Sequence, residues 1–255
     1  MKINISIDLD FFHRELQSWD WGHAEGDIFA NSVWLARYCA LDLYKETDIL
    51  TYADILPTKF LSKLKRLGYI FNHNTKIGYD VSHRYAYNFF REYPAEVLYN
   101  FDAHHDFGYA CDYPYADIDN TQISCGNWVR CLHTKHLIDR YYHIAPKHAH
   151  KCQFIEFNGA TTVNWETFLR FGIHCPSEIN AIFFAQSPEW VAPHFDSYFK
   201  KIIAQCKIMC NYKQDCYTIQ GLVVRKPPTR KEALNLHQSN KDMIKRIQNN
   251  MMSTK

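Results

Sequence analysis

The chain has 255 residues, 47% of them hydrophobic and 22% charged, with a formal net charge of +2. That composition supports a sizeable core and excludes a disordered chain, and so small a charge excludes recruitment to nucleic acid or an anionic membrane by field alone. Nine cysteines, with no Cys-x-x-Cys pair and no zinc-type spacing in Cys206, Cys210 and Cys216, read as reduced thiols packing as small hydrophobes.

No apolar run approaches the ~20 residues of a membrane span. Asp8 arrives too early for a signal peptide. A cytoplasmic protein is expected.

In chain order, "INISI" (3–7) predicts a first strand. Residues 30–46 place Trp34, Leu35, Tyr38 and Leu41 at helical spacing. Residues 58–68 predict a second helix, with Gly68 as its cap and its basic residues on a solvated face between Leu61, Leu64 and Leu67. "YIFNH" (69–73) is a candidate strand, and 82–93 a helix stopped by Pro94. "EVLYNF" (96–101) is a strand, 125–141 a helix, 153–157 a strand, 164–172 a helix and 179–186 a strand. A helix over 195–207 and a strand over 216–224 follow. Pro227-Pro228 then breaks the chain. Thr229 and Glu232 form a capping box for a last helix to about Ile247, before a fraying tail.

Strands alternating with helices predict an α/β fold, a mainly parallel sheet with helices on both faces. One domain over 1–226 is expected, with the helix and tail of 227–255 packed on it. Such sheets bind ligands outside the carboxyl ends of their strands.

Two acidic motifs fall at such ends. "NFDAHHD" closes the 96–101 strand, and "SIDLDFF" closes the first. In an extended segment residues i, i+2 and i+4 share a face, so Asp102, His104 and Asp106 point one way and His105 the other. Asp8 and Asp10 have the same relation. If the strands are neighbours, four carboxylates and an imidazole converge. Each pair of like charges ~4 Å apart costs about 4 kcal/mol at an effective dielectric of 20, which two divalent cations would offset. An oxygen-rich set with imidazole and no thiolate favours manganese over structural zinc. The bland alternative is a solvated acidic loop beside an ordinary pair of strand-end acids.

"NFDAHHD" resembles the Asp-Ala-His-x-Asp motif of the arginase/agmatinase (ureohydrolase) superfamily, and "SIDLDFF" its Ser-x-Asp-x-Asp motif. The resemblance implies an arginase/deacetylase-like fold and two Mn²⁺ ions. A hydroxide bridging them would attack a guanidinium carbon and release urea, the reaction of hydrolases acting on linear amidines. It also implies a further histidine upstream, which "YDVSH" supplies as His83. By this resemblance His83, Asp102, Asp106 and Asp8 would hold one ion, and Asp102, His104, Asp8 and Asp10 the other. As a residue alone, His83 reads equally as a helix cap or a surface histidine.

The order of the two motifs is reversed relative to ordinary arginases, which suggests a circularly permuted arrangement. The Gly-Gly-Asp-His-Ser context of the upstream histidine is replaced by "YDVSH". "IDLDFF", "DAHHD", "GNWV" and "SPEW" together look more like a divergent branch of the fold that includes peptide arginases of ribosomal natural-product pathways. That branch implies an arginine-containing peptide as substrate, converted to ornithine, with neither nucleic acid nor membrane as partner.

Arginases grip the guanidinium with a late glutamate, and Glu189 of "SPEW" is the candidate. It reads equally as an acid at a helix N-terminus. Asn127 and Trp128 either line the pocket or form a helix cap and a core tryptophan. His105 is the candidate general acid, with His133 and His174 as alternatives. Rival functions are a ureohydrolase for free arginine or agmatine, a zinc deacetylase needing one metal, and a metal-stabilised binding module docking through the basic helix of 58–68.

Overall fold

Ile3, Ile5 and Ile7 alternate with Asn4, Ser6 and Asp8, and in the computed structural model these six residues form β1 (Ile3–Asp8), buried on both faces. The structure describes residues 1–13, 34, 37, 55–108, 123–147, 149, 154–171, 177–232, 234–236, 238–239 and 241–242.

The other strands are β2 (Tyr69–Ile70), β3 (Lys76–Asp80), β4 (Val97–Phe101), β5 (Arg140–Ala145), β6 (Glu156–Phe157), β7 (Ala160–Asn164) and β8 (Ser177–Ala185). They make one eight-stranded sheet in the order β2-β8-β1-β4-β5-β7-β6, with β3 also paired to β8. Every ladder is parallel except β6–β7. The expected α/β fold is therefore present.

Both faces are covered. α1 (Pro57–Arg66), α4 (Trp165–Phe171) and α5 (Asp196–Met209) contribute to a core with Ile3, Ile5, Ile7, Val97, Phe101 and Phe184. α2 (Arg84–Glu92) and α3 (Trp128–Thr134) build a second core with Leu98, Tyr141 and Phe183. Gly78 of β3 admits α2: a Cβ there would meet the Phe89 and Phe183 rings at 2.9 Å. No described helix is long and apolar enough to cross a membrane.

Several elements differ from expectation. The 125–141 helix divides into α3 and β5. His136, in the left-handed region (φ 54), ends α3, with Leu137 N–H donating to Leu132 O and His136 N–H to His133 O. That is a Schellman closure built without glycine. β3 and β7 were not expected at all. The 216–224 segment is not a strand: Tyr217 bridges Gly78, and beyond it the chain is tied down by side chains. The Asp80 carboxylate accepts from Ile219 N (2.6 Å) and Gln220 N (3.0 Å), and Gln186 Oε1 from Val223 N (2.9 Å).

The capping box is formed, with Glu232 Oε2 accepting from Thr229 N at 2.7 Å. The expected helix over 30–46 lies outside the described residues except for Trp34 and Arg37, as do the end of the last helix and the tail.

Candidate metal centre

β1 and β4 are parallel neighbours with Ile7 beside Phe101, so Asp8 and Asp102 leave the sheet side by side. On the other flank Asp8 pairs with Ala185 of β8, which in turn pairs with Asp80 of β3. The carboxyl ends of these four neighbouring strands thus meet at one edge of the sheet, where the fold class places ligands.

Asp8 caps a 3-10 turn, Leu9–Phe12, its Oδ1 accepting from Asp10 N at 2.9 Å. Leu9, Phe11 and Phe12 are fully buried, and their burial drives the turn inward and fixes Asp10 beside Asp8. After β4 the Asp102 carboxylate accepts from His104 N at 2.8 Å, bending the chain. Asp106 then takes a left-handed conformation (φ 50), which Asp tolerates better than most residues. The extended, same-face geometry expected for both motifs is therefore wrong. Turns bring the side chains together.

All six expected ligands line one cleft of about 180 Å³. His83 Nδ1 lies 3.1 Å from Asp8 Oδ2, 2.9 Å from Asp102 Oδ2 and 3.0 Å from Asp106 Oδ2. His104 Nδ1 lies 2.9 Å from Asp10 Oδ2 and 3.7 Å from Asp102 Oδ1. Asp8, His83 and Asp102 form one group able to hold a metal ion; Asp10, Asp102 and His104 form another. Asp102 belongs to both, one oxygen facing each histidine.

The residues fit metal ions. One ring nitrogen cannot satisfy three carboxylate oxygens with a single N–H. Among the described residues no lysine or arginine lies within ion-pair distance of these four aspartates. Each carboxylate instead carries a neutral donor behind it. Ser187 Oγ donates to Asp8 Oδ2, Ala103 N to Asp10 Oδ1 (3.1 Å), Asn100 Nδ2 to Asp102 Oδ2 (3.1 Å), and Trp128 Nε1 to Asp106 Oδ2 (2.7 Å). Outer donors of this kind orient metal ligands.

Without a cation the cluster must hold protons. Burial, then the charges of Asp8 and Asp102, raise Asp10 well above the usual carboxylate range. Burial and Asp102 raise Asp106. Burial alone would deprotonate His83, but Asp8 and the hydrogen bonds of Asp102 and Asp106 raise it well above its ordinary value. His104 is raised likewise, against burial, by Asp10 and Asp102. Burial would also raise Asp102, yet its hydrogen bonds with His104 and His83 hold it low. Protons here occupy positions that divalent cations would compete for.

No family model, curated protein or solved structure matches the chain.

Glu189 lines the cleft and is half-buried. It lies in a turn after β8 and not at a helix start; the next helical residues are Pro193–Phe195. Trp128 does not line the cleft: fully buried, it supports Asp106 and stacks on Phe90. Asn127 stands at the start of α3 without capping it, its Oδ1 accepting from Ser124 N. His105 also lies outside the lining. Its Nδ1 accepts from Phe107 N, and burial with the neighbouring His143 pushes its pKa down to about 4, so it organises its loop and is poorly placed to deliver a proton. His133, on α3, packs against Phe107 and does not line the cleft. His174 lies outside the described residues.

Ser6, Asn100 and Ser187 were not assigned roles from sequence. One signal was available for the first two. Asn4, Ser6 and Asp8 occupy one face of a fully buried strand, and Ser6 is in register with Asn100 and, through it, with His143. A polar row across a central sheet needs partners, and here those partners include the candidate ligands His83 and Asp102.

Proposed function

We propose that the protein hydrolyses the guanidinium group of arginine residues in a peptide to ornithine and urea, with two manganese ions in the cleft. The observation that carries the reading is the double use of Asp102, one carboxylate common to two ligand groups. A carboxylate common to two ligand groups is what a pair of neighbouring divalent ions would use.

In this reading Asp8, His83, Asp102 and Asp106 hold one ion, and Asp8, Asp10, Asp102 and His104 the other. When bound, the ions supply Lewis acidity and a water of lowered pKa. The chain's own groups do the rest. Ser6, Asn100, Trp128 and Ser187 keep the ligands oriented. Glu189, on the cleft wall, accepts two parallel N–H bonds from the guanidinium and so aims its central carbon at the ligand cluster. Trp190, whose ring lies 4.7 Å from that of His104, covers that side of the cluster from water. The net reaction adds the oxygen of one water to the guanidinium carbon, breaks its bond to the side-chain nitrogen, and leaves that nitrogen as the ornithine amine.

The peptide substrate is supported by the resemblance of "IDLDFF", "DAHHD" and "SPEW" to the peptide-arginase branch. Mass spectrometry of a panel of arginine peptides, free arginine, agmatine and acetyl-lysine peptides, incubated with the Mn²⁺-loaded protein, tests it. Arginine-to-ornithine conversion confined to peptides, and lost in Asp102→Asn, is the expected result. Conversion of free arginine or agmatine would keep the chemistry and discard the peptide. Loss of acetyl groups, or turnover of nothing in the panel, would overturn the reading.

A further inference from the structure

The loop 186–191 carries four of the residues on the cleft wall, Ser187, Pro188, Glu189 and Trp190. Within the loop, Trp190 N and Val191 N donate to Ser187 O at 3.0 and 3.1 Å, which closes a turn but leaves its placement against the cleft to outside partners. Ser187 sits in the left-handed region at φ 47, unfavourable for a residue with a Cβ. The N–H groups of Gln186 and Ser187 are tied to Asp80 O and Val81 O at the end of β3, at 3.0 and 2.9 Å. The carbonyls of Pro188, Glu189 and Val191 accept from a set of distant donors.

Arg225 is the centre of that set. Its side chain is fully buried. Its Nη1 donates to Pro188 O and to Val191 O at 2.8 Å. Its Nε and Nη2 grip the two oxygens of Asp196, the first residue of α5, at 3.1 and 2.6 Å. Trp34 Nε1 adds a second donor to Pro188 O (2.7 Å), and Arg37 Nη1 donates to Glu189 O (2.5 Å). Gln186 joins the same assembly, donating to Asp196 Oδ1 and to Val223 O. One planar guanidinium thus spans α5 and two carbonyls of the loop, a geometry that a lysine ammonium cannot reproduce.

We infer that Arg225 is a positioning residue of the cleft: from the C-terminal segment it holds the backbone of 186–191 so that Ser187 supports Asp8 and Glu189 faces the substrate. The inference concerns the wall of the site and rests on the proposed function only for what Glu189 binds. The competing role is a buried ion pair that staples α5 to the fold and leaves the cleft indifferent. The two differ in what Arg225→Lys does. Lysine keeps a cation beside Asp196 and would preserve a staple, but it cannot also serve both carbonyls.

The experiment compares the full-length protein with Arg225→Lys and Arg225→Met by amide hydrogen exchange, by Mn²⁺ titration and by kinetics on an arginine peptide. In Arg225→Lys the Gln186 and Ser187 amides are expected to exchange about tenfold faster or more, with β1 and β4 unchanged. Mn²⁺ affinity falls several-fold, through Ser187 and Asp8, with the number of ions unchanged. KM rises more than kcat falls. Loop amides exchanging at the wild-type rate would overturn the inference, and so would a loosened loop with wild-type Mn²⁺ affinity and KM. Exchange rising equally in β1 and β4 in both variants would assign Arg225 to the fold instead. If the wild-type protein turns over no arginine substrate, the proposed reaction fails separately, and exchange with Mn²⁺ affinity still decides for or against the positioning role.

Discussion

Ser6 backs His83: its Oγ lies 2.9 Å from His83 Nε2, while Nδ1 of the same ring faces three aspartates. A hydrogen bond from Nε2–H to the hydroxyl selects the tautomer whose Nδ1 lone pair points into the cleft, the form a metal ligand needs. Ser6→Ala removes this partner and little volume. Mn²⁺ affinity should fall about 10–100-fold with the far-ultraviolet spectrum unchanged, as read by titration with a competing chelator.

Asp102 and Asp10 should differ in what their loss does to metal content. Asp102 belongs to both ligand groups, whereas Asp10 belongs to one. Elemental analysis after dialysis against Mn²⁺ should find two ions per wild-type chain, about one in Asp10→Asn, and close to none in Asp102→Asn. Equal losses in the two variants would remove the bridging role.

Metal removal should expose a pH dependence. Asp10, Asp106, His83 and His104 all have folded-state pKa values raised above their ordinary ones. A raised group contributes stability that is complete below its unfolded pKa and is lost as pH rises through its folded pKa. The chelated protein should therefore lose stability from mildly acidic toward alkaline pH. Asp102, held low, acts oppositely: its contribution is lost only as pH falls through its folded value. Mn²⁺ bound in the cleft would replace the protons, so its stabilising effect should be small near pH 5 and large near pH 8, as read by thermal melts with and without chelator across that range.

Trp128 links this cluster to the second core. Its Nε1 bonds Asp106 and its ring stacks on Phe90. Trp128→Phe keeps the stack and removes the donor, leaving a buried carboxylate short of one hydrogen bond, at a cost of about 1.5–3 kcal/mol. Chemical denaturation of the chelated protein should show that loss, and Mn²⁺ should recover part of it.

These candidate ligands were legible because their chemistry is local: Asp102, His104 and Asp106 stand within five residues at a strand end, and Asp8 and Asp10 at another. β1, β4 and β8 were legible as apolar runs. β3 was not, since "KIGYD" has one aliphatic residue and a glycine that serves the packing of α2. β5 was hidden because "HLIDRY" continues the helical pattern of α3, and the break at His136 lies in backbone geometry that no glycine advertises. The 216–224 segment has strand composition, yet Asp80 and Gln186 take N–H groups that a ladder would use. Arg225 was invisible for the same reason: its partners Pro188, Val191 and Asp196 are some thirty residues away.

In the proposed reaction Glu189 is the residue that would read the guanidinium. It is half-buried on the cleft wall beside the candidate ligands, and its backbone carbonyl is held by Arg37 at 2.5 Å, so the residue is fixed by its main chain. Glu189→Gln keeps the shape and removes the charge. A neutral amide offers one acceptor where the carboxylate offers two, and its NH₂ opposes the N–H groups of an incoming guanidinium. The loss should be about 2 kcal/mol, roughly thirtyfold in kcat/KM for an arginine peptide, with Mn²⁺ content and affinity unchanged because Glu189 belongs to neither candidate ligand group. Steady-state kinetics beside a Mn²⁺ titration separates the outcomes. Lost turnover with full metal content assigns Glu189 to the substrate, whereas lost metal would place it with Asp8 and Asp102, and unchanged kinetics would leave the guanidinium without its partner.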